Sequence, residues 1–343
     1  MMSSYKEYLS FWVKNRTRHL IELLWTLPLS LIARIIPKGD QEIYGSMNGF
    51  KICDNSKFLF YKSKSLKSFF ITKNKDICSD KNRIVYAYSI KGIYLQLIAR
   101  KIFWTHGLND FVAPLVVGSY IVGLQHGLPG KKTIQKTRAK LYYIVKNLFL
   151  PFMNNDYCHE VWSPENFYDS YIEKVFYPLK VYIKRKQLPR IEYAPRLPIK
   201  RKILYAPSHR TFRKITDVLD RNKVFTESFI KELDEKNIQL VVRPHPLDYD
   251  DILQLKIDGK CYVDYSNDIH DTISSYSIVI SDFSGLLIDC WELGIESYCL
   301  CDDLENIFKQ GIIYEWYFNK LKTKRIYKMS DALSYKAFDE TTD

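Results

Sequence analysis

The sequence predicts an α/β protein made of two units, each built around a parallel sheet. Short apolar runs alternate with longer helical patterns in both halves of the chain, as expected for parallel strands joined by crossover helices. The chain has 343 residues, 46% of them hydrophobic, which supplies core for two units of about 150 residues each. Between residues 178 and 198 the composition shifts to Lys, Arg and Pro, which indicates a crossover between the units.

The predicted strands follow this alternation from one end of the chain to the other. In the first unit they cover 41–44, 68–72, 83–88, 101–105 and 121–124, and in the second 202–205, 239–242, 261–264, 278–281 and 297–300. We expect an N-terminal segment at 1–37, a first Rossmann-like unit at 38–190, a second at 191–325 and a C-terminal tail at 326–343.

The N-terminal segment has an unusual apolar stretch between residues 20 and 36. It is rich in Leu and Ile and contains Trp25, but Glu22, Pro28 and Arg34 interrupt it, and it is slightly short of a bilayer span. It therefore predicts an amphipathic helix at a membrane interface, with Arg34 and Lys38 meeting anionic head groups. An ordinary core or interdomain helix is the alternative. No secretory signal pattern precedes the stretch, so we expect a cytoplasmic protein.

The overall charge favours anionic partners. The chain carries 51 Lys and Arg against 39 Asp and Glu, a formal charge of +12, which suits nucleotides, phosphate polymers or acidic lipid surfaces. Its seven cysteines are scattered and show no paired metal-binding spacing, which predicts free thiols in a reducing compartment.

Two histidines stand in loops that follow apolar runs. His126 lies in Gln-His-Gly-Leu-Pro-Gly-Lys-Lys, and His245 lies in Arg-Pro-His-Pro. Ligands of open α/β sheets bind at this edge, so we expect a cleft between the units with one histidine on each wall. His106 ends another strand and is a secondary candidate. A basic run follows His126, and it consists of Lys131, Lys132, Lys136, Arg138 and Lys140.

The second unit contains two further candidate phosphate-binding segments. Ser208, His209 and Arg210 follow one predicted strand, and Ser281, Asp282, Ser284 and Gly285 follow another. A helix that begins at Ser284 would offer free backbone N–H groups to an anion, although Ser284 could equally be an ordinary N-cap. Arg243 and His245 are set between prolines that fix the backbone, which suits a phosphate-binding pair or simply a rigid strand exit.

Taken in order, these segments resemble the CDP-glycerol glycerophosphotransferases, a family that includes teichoic-acid primases and polymerases and related capsule polymerases. The resemblance runs from about Ile36 to Phe308 and includes an early Asp-Asn-Ser-Lys at 54–57. Its sharpest matches lie at 126–129, 205–210, 243–246 and 281–285. The chain departs from the family pattern at four positions, where Gln125 replaces Trp, Leu128 replaces Thr, Gly130 replaces Leu and His209 replaces Trp.

The resemblance implies a GT-B architecture in which the C-terminal unit binds most of a CDP-polyol donor. An acceptor hydroxyl would attack the β-phosphorus, giving a phosphodiester and CMP, with His126 as general base and His245 as the second catalytic residue. The donor and its phosphates would be bound by Arg243, Ser281, Asp282, Ser284, Gly285, Ser208, His209, Arg210, Gly127 and Lys131. No cofactor is implied, although Mg²⁺ carried by the donor diphosphate is compatible.

The expected partners are a CDP-polyol, a lipid-linked or polysaccharide acceptor and an anionic membrane surface, but no nucleic acid. This places the protein on the inner face of the cytoplasmic membrane. Two alternatives remain open: a GT-B glycosyltransferase that uses a nucleotide sugar, and a non-enzymatic basic protein that binds membrane or nucleic acid.

Overall fold

The structure, a computed structural model, describes residues 28–79, 82–132, 151–177, 180–210, 213–253 and 260–334. These residues form two compact units, one from 28–129 and 151–194 and the other from 130–132 and 195–334. Lys131 therefore belongs to the C-terminal unit, although it is close to His126 in sequence. Most of the predicted N-terminal segment (1–27) and the basic residues Lys136, Arg138 and Lys140 lie outside the described residues.

The N-terminal unit is built on a parallel sheet. Its strands are β1 (Glu42–Gly45), β2 (Ser68–Thr72), β3 (Ile84–Tyr86), β4 (Lys101–Trp104), β5 (Tyr120–Gly123), β6 (Glu160–Ser163) and β7 (Tyr182–Arg185). They lie in the order β3-β2-β1-β4-β5-β6-β7. The carboxyl ends of β1, β4 and β5 are therefore neighbours, and the loops that leave them meet at one edge.

Helices cover the faces of this sheet. They are α1 (28–35), α2 (Asp54–Lys62), α3 (Ile90–Ile98), α4 (Asp169–Phe176) and α5 (Pro189–Glu192). Helix α3 begins where the Ser89 hydroxyl accepts a hydrogen bond from the Gly92 N–H at 3.0 Å, a typical N-cap. Helix α2 buries Phe60 against the sheet, with its ring 5.7 Å from that of Tyr44 and 5.6 Å from that of Phe70. Aromatic packing thus fixes α2, whose first residues belong to the site described below.

The C-terminal unit repeats this plan with strands β8 (Lys200–Ala206), β9 (Gln239–Val242), β10 (Cys261–Val263), β11 (Tyr276–Ser281), β12 (Ser297–Leu300) and β13 (Arg325–Ile326). They are parallel and lie in the order β10-β9-β8-β11-β12-β13, which is the Rossmann order. The helices are α6 (Ile215–Arg221), α7 (Glu227–Glu235), α8 (Tyr249–Leu253), α9 (Gly285–Leu293), α10 (Leu304–Lys309) and α11 (Glu315–Thr323).

The predicted fold class, two Rossmann-like α/β units, is confirmed. The ten predicted strands all occur, with ends that differ by a few residues. The sequence did not predict β6, β7 or β13. The predicted crossover at 178–198 contains the boundary between the units, at 194–195, but it also contains β7, which pairs with β6, and α5, which packs with α2 in the N-terminal unit. Lys and Arg side chains on an edge strand gave this stretch the composition of a linker.

Helix α1 is the described part of the predicted amphipathic segment. It exposes 67% of Leu31 and 81% of Ile35. The expectation that Lys38 faces lipid head groups was wrong, because its ammonium group donates hydrogen bonds to the carbonyls of Ala33 at 2.9 Å and Leu97 at 2.6 Å. Across the described parts of the chain, no helix combines the length and the apolar character needed to cross a bilayer.

Candidate active site

Both sheets contain a point at which the strand order changes direction, between β1 and β4 and between β8 and β11. At such points two loops leave adjacent strands on opposite faces, and the gap between them is the usual ligand site of open α/β sheets. The loops after β1, β4 and β5 carry Asp54, His106 and His126. The loops after β8 and β11 carry Ser208 and Asp282.

In the N-terminal unit, His126 is held by a buried carboxylate. Its Nδ1 bonds to Asp54 Oδ2, and Arg190 Nη1 donates to the other oxygen, Oδ1, at 2.7 Å. The Arg190 guanidinium also donates to the His126 carbonyl. The Asp54 side chain is 6% exposed, whereas the His126 side chain is 72% exposed. The pair therefore presents an imidazole to solvent from a buried, charged support.

The charge state of Asp54 decides which nitrogen of His126 can act. Burial alone would raise the pKa of Asp54, but the positive charge of Arg190 and the contact with His126 hold that pKa well below its usual range. An ionised Asp54 accepts the Nδ1–H of His126, so the lone pair of the neutral ring is on Nε2. This is the arrangement of a general base whose tautomer is fixed by a carboxylate.

A second layer of contacts fixes the three elements that form this pair. The Asn55 amide donates to the carbonyls of Leu124 at 3.2 Å and Gln125 at 2.7 Å, and its oxygen accepts the Arg190 N–H at 3.0 Å. At Gly127, a methyl group would lie 2.9 Å from Arg190 Nη2, so a larger residue would displace the guanidinium that holds Asp54. The structure thus gives Gly127 a packing role beside the base.

His106 lies next to His126, with ring centroids 4.6 Å apart. Its Nδ1 accepts the Met47 N–H at 3.0 Å, which leaves the proton of the neutral ring on Nε2. Burial, assisted by the nearby His126, lowers the pKa of His106 from 6.5 to about 4. His106 is therefore neutral at physiological pH and adds no second positive charge to the site.

The depressed pKa of His106 predicts a specific pH dependence of stability. Between pH 6.5 and 4 the unfolded chain binds a proton at His106 that the native protein does not, so the free energy of unfolding falls as the pH falls through this window. His106→Asn keeps an acceptor for the Met47 N–H but cannot titrate. Between pH 7 and pH 4.5 the free energy of unfolding of this variant should fall by roughly 1–3 kcal/mol less than that of the wild type. Urea unfolding at several pH values measures the difference, and parallel curves for the two proteins would contradict it.

In the C-terminal unit, a buried ion pair organises the loop after β8. Arg210 Nη1 donates to Asp282 Oδ2 at 2.8 Å, and their side chains are 2% and 1% exposed. Asp282 also accepts the Ser208 N–H at 2.8 Å and the Ser208 hydroxyl at 2.7 Å. The Ser281 hydroxyl donates to the Ala206 carbonyl and is buried as well. Arg210, Ser281 and Asp282 are thus bonded inside the protein, where they support the loop.

Helix α9 begins at Ser284, which is its N-cap: the hydroxyl accepts the Leu286 N–H at 3.2 Å. A methyl group on Gly285 would meet no described heavy atom within 4 Å, so the space in front of this helix end is open. The positive end of the helix dipole and the first N–H groups face that space. Lys131 lies nearby, with its ammonium 4.8 Å from the centre of the Phe283 ring. This geometry suits an anionic group.

Arg243 follows β9 and is already held by neighbouring groups. Its guanidinium donates to Asp264 Oδ2 at 2.6 Å, to the Ser266 hydroxyl at 2.8 Å and to the Ser266 carbonyl at 2.8 Å. To bind a phosphate with its Nη1 and Nη2 groups, Arg243 must exchange some of these contacts. The arrangement fixes the direction of the side chain from a partly buried position.

His245 and His209 form a second histidine pair, with ring centroids 5.6 Å apart. His209 Nδ1 lies 2.7 Å from Asp248 Oδ1, and His245 Nδ1 accepts the Leu247 N–H at 3.3 Å. The His245 side chain is exposed and the His209 side chain is half-buried. These groups come from the loops after β8 and β9, which are neighbouring strands.

Sequence reasoning missed the partners of both histidine sites. It found Asp54 only as part of a motif, placed Arg190 in a crossover and did not consider Asp248. The sequence did contain a signal for Asp54, because this residue opens the Asp-Asn-Ser-Lys segment at 54–57 that resembles the family pattern. Arg190 lies 136 residues from Asp54, and no local pattern connects them.

Comparison with known proteins identifies the family of this chain and its fold. The family model described as CDP-Glycerol:Poly(glycerophosphate) glycerophosphotransferase matches residues 29–293. A comparison with curated protein sequences found no match. Among solved structures, the wall teichoic acid polymerase TagF is similar, with a TM-score of 0.64 and 15% identity over 89% of this chain and 83% of that one.

A variant of TagF soaked with CDPG is similar as well, with a TM-score of 0.65 and 15% identity over 95% of this chain and 89% of the other. At this identity the likeness shows a shared fold. The family match covers most of the chain, including Asp54, His126 and the loop that Asp282 supports. This chain belongs to the CDP-glycerol:poly(glycerophosphate) glycerophosphotransferase family, and it is a transferase of the phosphotransferase type.

Proposed function

We propose that this enzyme transfers glycerol phosphate from CDP-glycerol to a hydroxyl group of a lipid-linked or cell-surface glycan acceptor and releases CMP. The observation that carries the proposal is the Asp54–His126 pair, a solvent-facing base on a buried carboxylate in a chain of this family. The oxygen of the acceptor hydroxyl forms a bond to the β-phosphorus, and the bond from that phosphorus to the oxygen of CMP breaks. The hydroxyl proton passes to His126 Nε2.

His126 fits the role of general base because its neighbours fix the ring without adding repulsive charge. Asp54 stabilises the imidazolium that forms when the proton arrives, and Arg190 keeps that carboxylate ionised. His106 stays neutral beside it. A positioned base of this kind contributes typically 10²–10⁴-fold to the rate.

The donor phosphates need positive or hydrogen-bonding groups, because negative charge shifts onto the transferring phosphoryl and the departing CMP. The proposed groups are Arg243, His245 and the N-terminus of α9 at Ser284 and Gly285. Ser208, His209 and Lys131 are proposed as further contacts. Arg210, Asp282 and Ser281 support these loops from within. Side chains fill the proton-transfer and charge-stabilising roles, and Mg²⁺ brought by the donor diphosphate is compatible with them.

We also propose that the protein works at the inner face of the cytoplasmic membrane. Helix α1 exposes Leu31 and Ile35 next to Arg34, which is exposed too. Apolar side chains beside a cation suit the boundary between head groups and acyl chains. A polyol-phosphate acceptor attached to a lipid would be presented at that surface.

The proposal is tested by measuring CMP release from CDP-glycerol, CDP-ribitol and a set of UDP-, GDP- and CMP-sugars, each with and without bacterial membranes. CDP-glycerol should give the fastest release, and membranes should increase it. Thermal unfolding with the same nucleotides reports binding separately, since a ligand that binds the native state raises the melting temperature.

The results distinguish the donor from the acceptor. Stabilisation by CDP-glycerol without CMP release would mean that the acceptor is missing from the membranes. Stabilisation by a nucleotide sugar, with none by either CDP-polyol, would overturn the proposal in favour of a glycosyltransferase.

A further inference from the structure

A group of metal-ligating side chains lies in the C-terminal unit, formed by His209, His245 and Asp248. Each residue offers one ligand atom, and these three atoms all lie within 4.8 Å of one another. They are set on the loop after β8 and the loop between β9 and α8. Because adjacent parallel strands deliver both loops to the same edge, the sheet itself brings the three side chains together.

Only one of the two oxygens of the buried Asp248 carboxylate has a hydrogen-bond partner among the described residues. Asp248 is 5% exposed, and its Oδ1 lies 2.7 Å from His209 Nδ1. Its other oxygen, Oδ2, is buried and has no hydrogen-bond partner among the described residues. A buried polar atom without a partner is costly and is rare in folded proteins. A bound cation would satisfy it.

The other histidine–carboxylate groups of the molecule show what a completed arrangement looks like. Both oxygens of Asp54 are occupied, one by His126 and one by Arg190. His270 uses both ring nitrogens, with Nδ1 3.3 Å from Asp268 and Nε2 3.1 Å from Asp289. Asp54, His106 and His126 also lie close enough together to hold an ion, but the Arg190 guanidinium already neutralises that carboxylate, and two carboxylates share the His270 ring.

The adjacent Arg210 does not pair with the second oxygen of Asp248. Arg210 is adjacent to His209 in sequence, but its guanidinium is directed to Asp282 at 2.8 Å and to Asp303 at 3.4 Å. This cation is thus engaged elsewhere, and Asp248 Oδ2 has no hydrogen-bond partner among the described residues.

We propose that His209, His245 and Asp248 form a binding site for a divalent first-row transition metal such as Zn²⁺ or Co²⁺. Two imidazole nitrogens and one carboxylate oxygen are a donor set that suits these ions rather than Ca²⁺ or Mg²⁺, which prefer all-oxygen sites. His209 Nδ1 and Asp248 Oδ1 are 2.7 Å apart, so the imidazole and the carboxylate already lie close enough to share one ion. Three protein ligands leave coordination positions for water or a phosphate oxygen.

This inference goes beyond the proposed transfer reaction, which does not require a transition metal, and it can fail while that reaction stands. It depends on His209, one of the two imidazoles of the donor set. Replacing His209 by Trp removes this ligand and keeps an aromatic side chain at the position.

The test uses the full-length protein with any affinity tag removed and bound metal stripped by a chelator. CoCl₂ is titrated while the visible absorption of Co²⁺ is recorded, and ZnCl₂ is then added as a competitor. The wild-type protein should bind one equivalent of Co²⁺ with a visible band that Zn²⁺ displaces. His209→Trp and Asp248→Asn should each weaken Co²⁺ binding by more than about 10-fold, because each removes a direct ligand and the loss of an outer-shell partner alone costs about 10–100-fold.

His126→Ala is the matched control, because it removes a histidine from the other histidine–carboxylate group and should leave Co²⁺ affinity unchanged. Circular dichroism and thermal unfolding establish that each variant is folded, and His209→Gln replaces His209→Trp if the latter is not. The proposal is overturned if the wild-type protein shows no saturable Co²⁺ binding, if the folded His209 and Asp248 variants bind as tightly as wild type, or if His126→Ala abolishes binding.

Discussion

His126→Ala should lower kcat for CMP release by about 10²–10⁴-fold while the protein stays folded and binds CDP-glycerol with little change. The imidazole is 72% exposed, so its removal creates no internal cavity, and its proposed work is confined to taking a proton in the transition state. Steady-state kinetics together with CDP-glycerol binding by calorimetry separate the two effects. Normal turnover in a folded variant would contradict the role of His126.

Asp54→Asn tests the same histidine–carboxylate pair at its buried carboxylate. The amide cannot hold the His126 ring in the required tautomer, so kcat should again fall by about 10²–10⁴-fold. Because the two residues act as one base, the double variant should be little slower than either single variant. Losses that multiply would mean that Asp54 and His126 act independently.

A chemical readout distinguishes lost proton transfer from lost structure. Since the His126 site faces solvent, added imidazole should restore part of the activity of His126→Ala. It should restore none to Asp54→Asn, in which the ring is still present but wrongly oriented. Melting temperatures provide the control, because Asp54→Asn also leaves the buried Arg190 with an uncharged partner.

How well a strand could be predicted from the sequence depends on how many of its residues are buried. The strands β4 and β5 of the first sheet and β8, β9 and β11 of the second have buried residues at successive positions along most of their length. Such strands appear in the sequence as continuous apolar runs. By contrast, all four residues of the edge strand β7 are exposed or half-buried, and β13 has only two residues. Their polar or short sequences resemble linkers, and only pairing with a neighbouring strand identifies them.

The candidate site was predictable where a reactive side chain stands next to residues that mark the end of a strand. His126 follows an apolar run and precedes Gly and Pro, which places it at a strand exit without any knowledge of the fold. Its support depends on residues 72 positions earlier and 64 positions later, brought together only by the order of the strands. Burial could not be predicted for Arg210: its charge predicts a phosphate contact, and the structure bonds the side chain to Asp282 inside the protein.

Arg210→Met should be the most destabilising of the substitutions considered, by about 3–5 kcal/mol, because it leaves Asp282 charged and buried without its partner. Met is shorter than Arg but fills much of the space that the side chain occupies, so most of the loss reports the charge rather than a cavity. Urea unfolding followed by the fluorescence of the native tryptophans measures it. Arg221→Met is the matched control: Arg221 is 61% exposed and pairs with Asp302 at 3.3 Å, a surface contact worth about 0–1 kcal/mol.

Asp282→Asn completes a double-variant cycle that tests why the pair is buried. If Arg210 and Asp282 serve mainly each other, the double variant should regain much of the stability lost in either single one, since both uncompensated charges are gone. Asp282 also accepts two hydrogen bonds from Ser208, so the double variant should still bind CDP-glycerol more weakly than wild type. Restored stability together with wild-type donor affinity would show that the pair holds the sheet edge together but does not position the loop after β8.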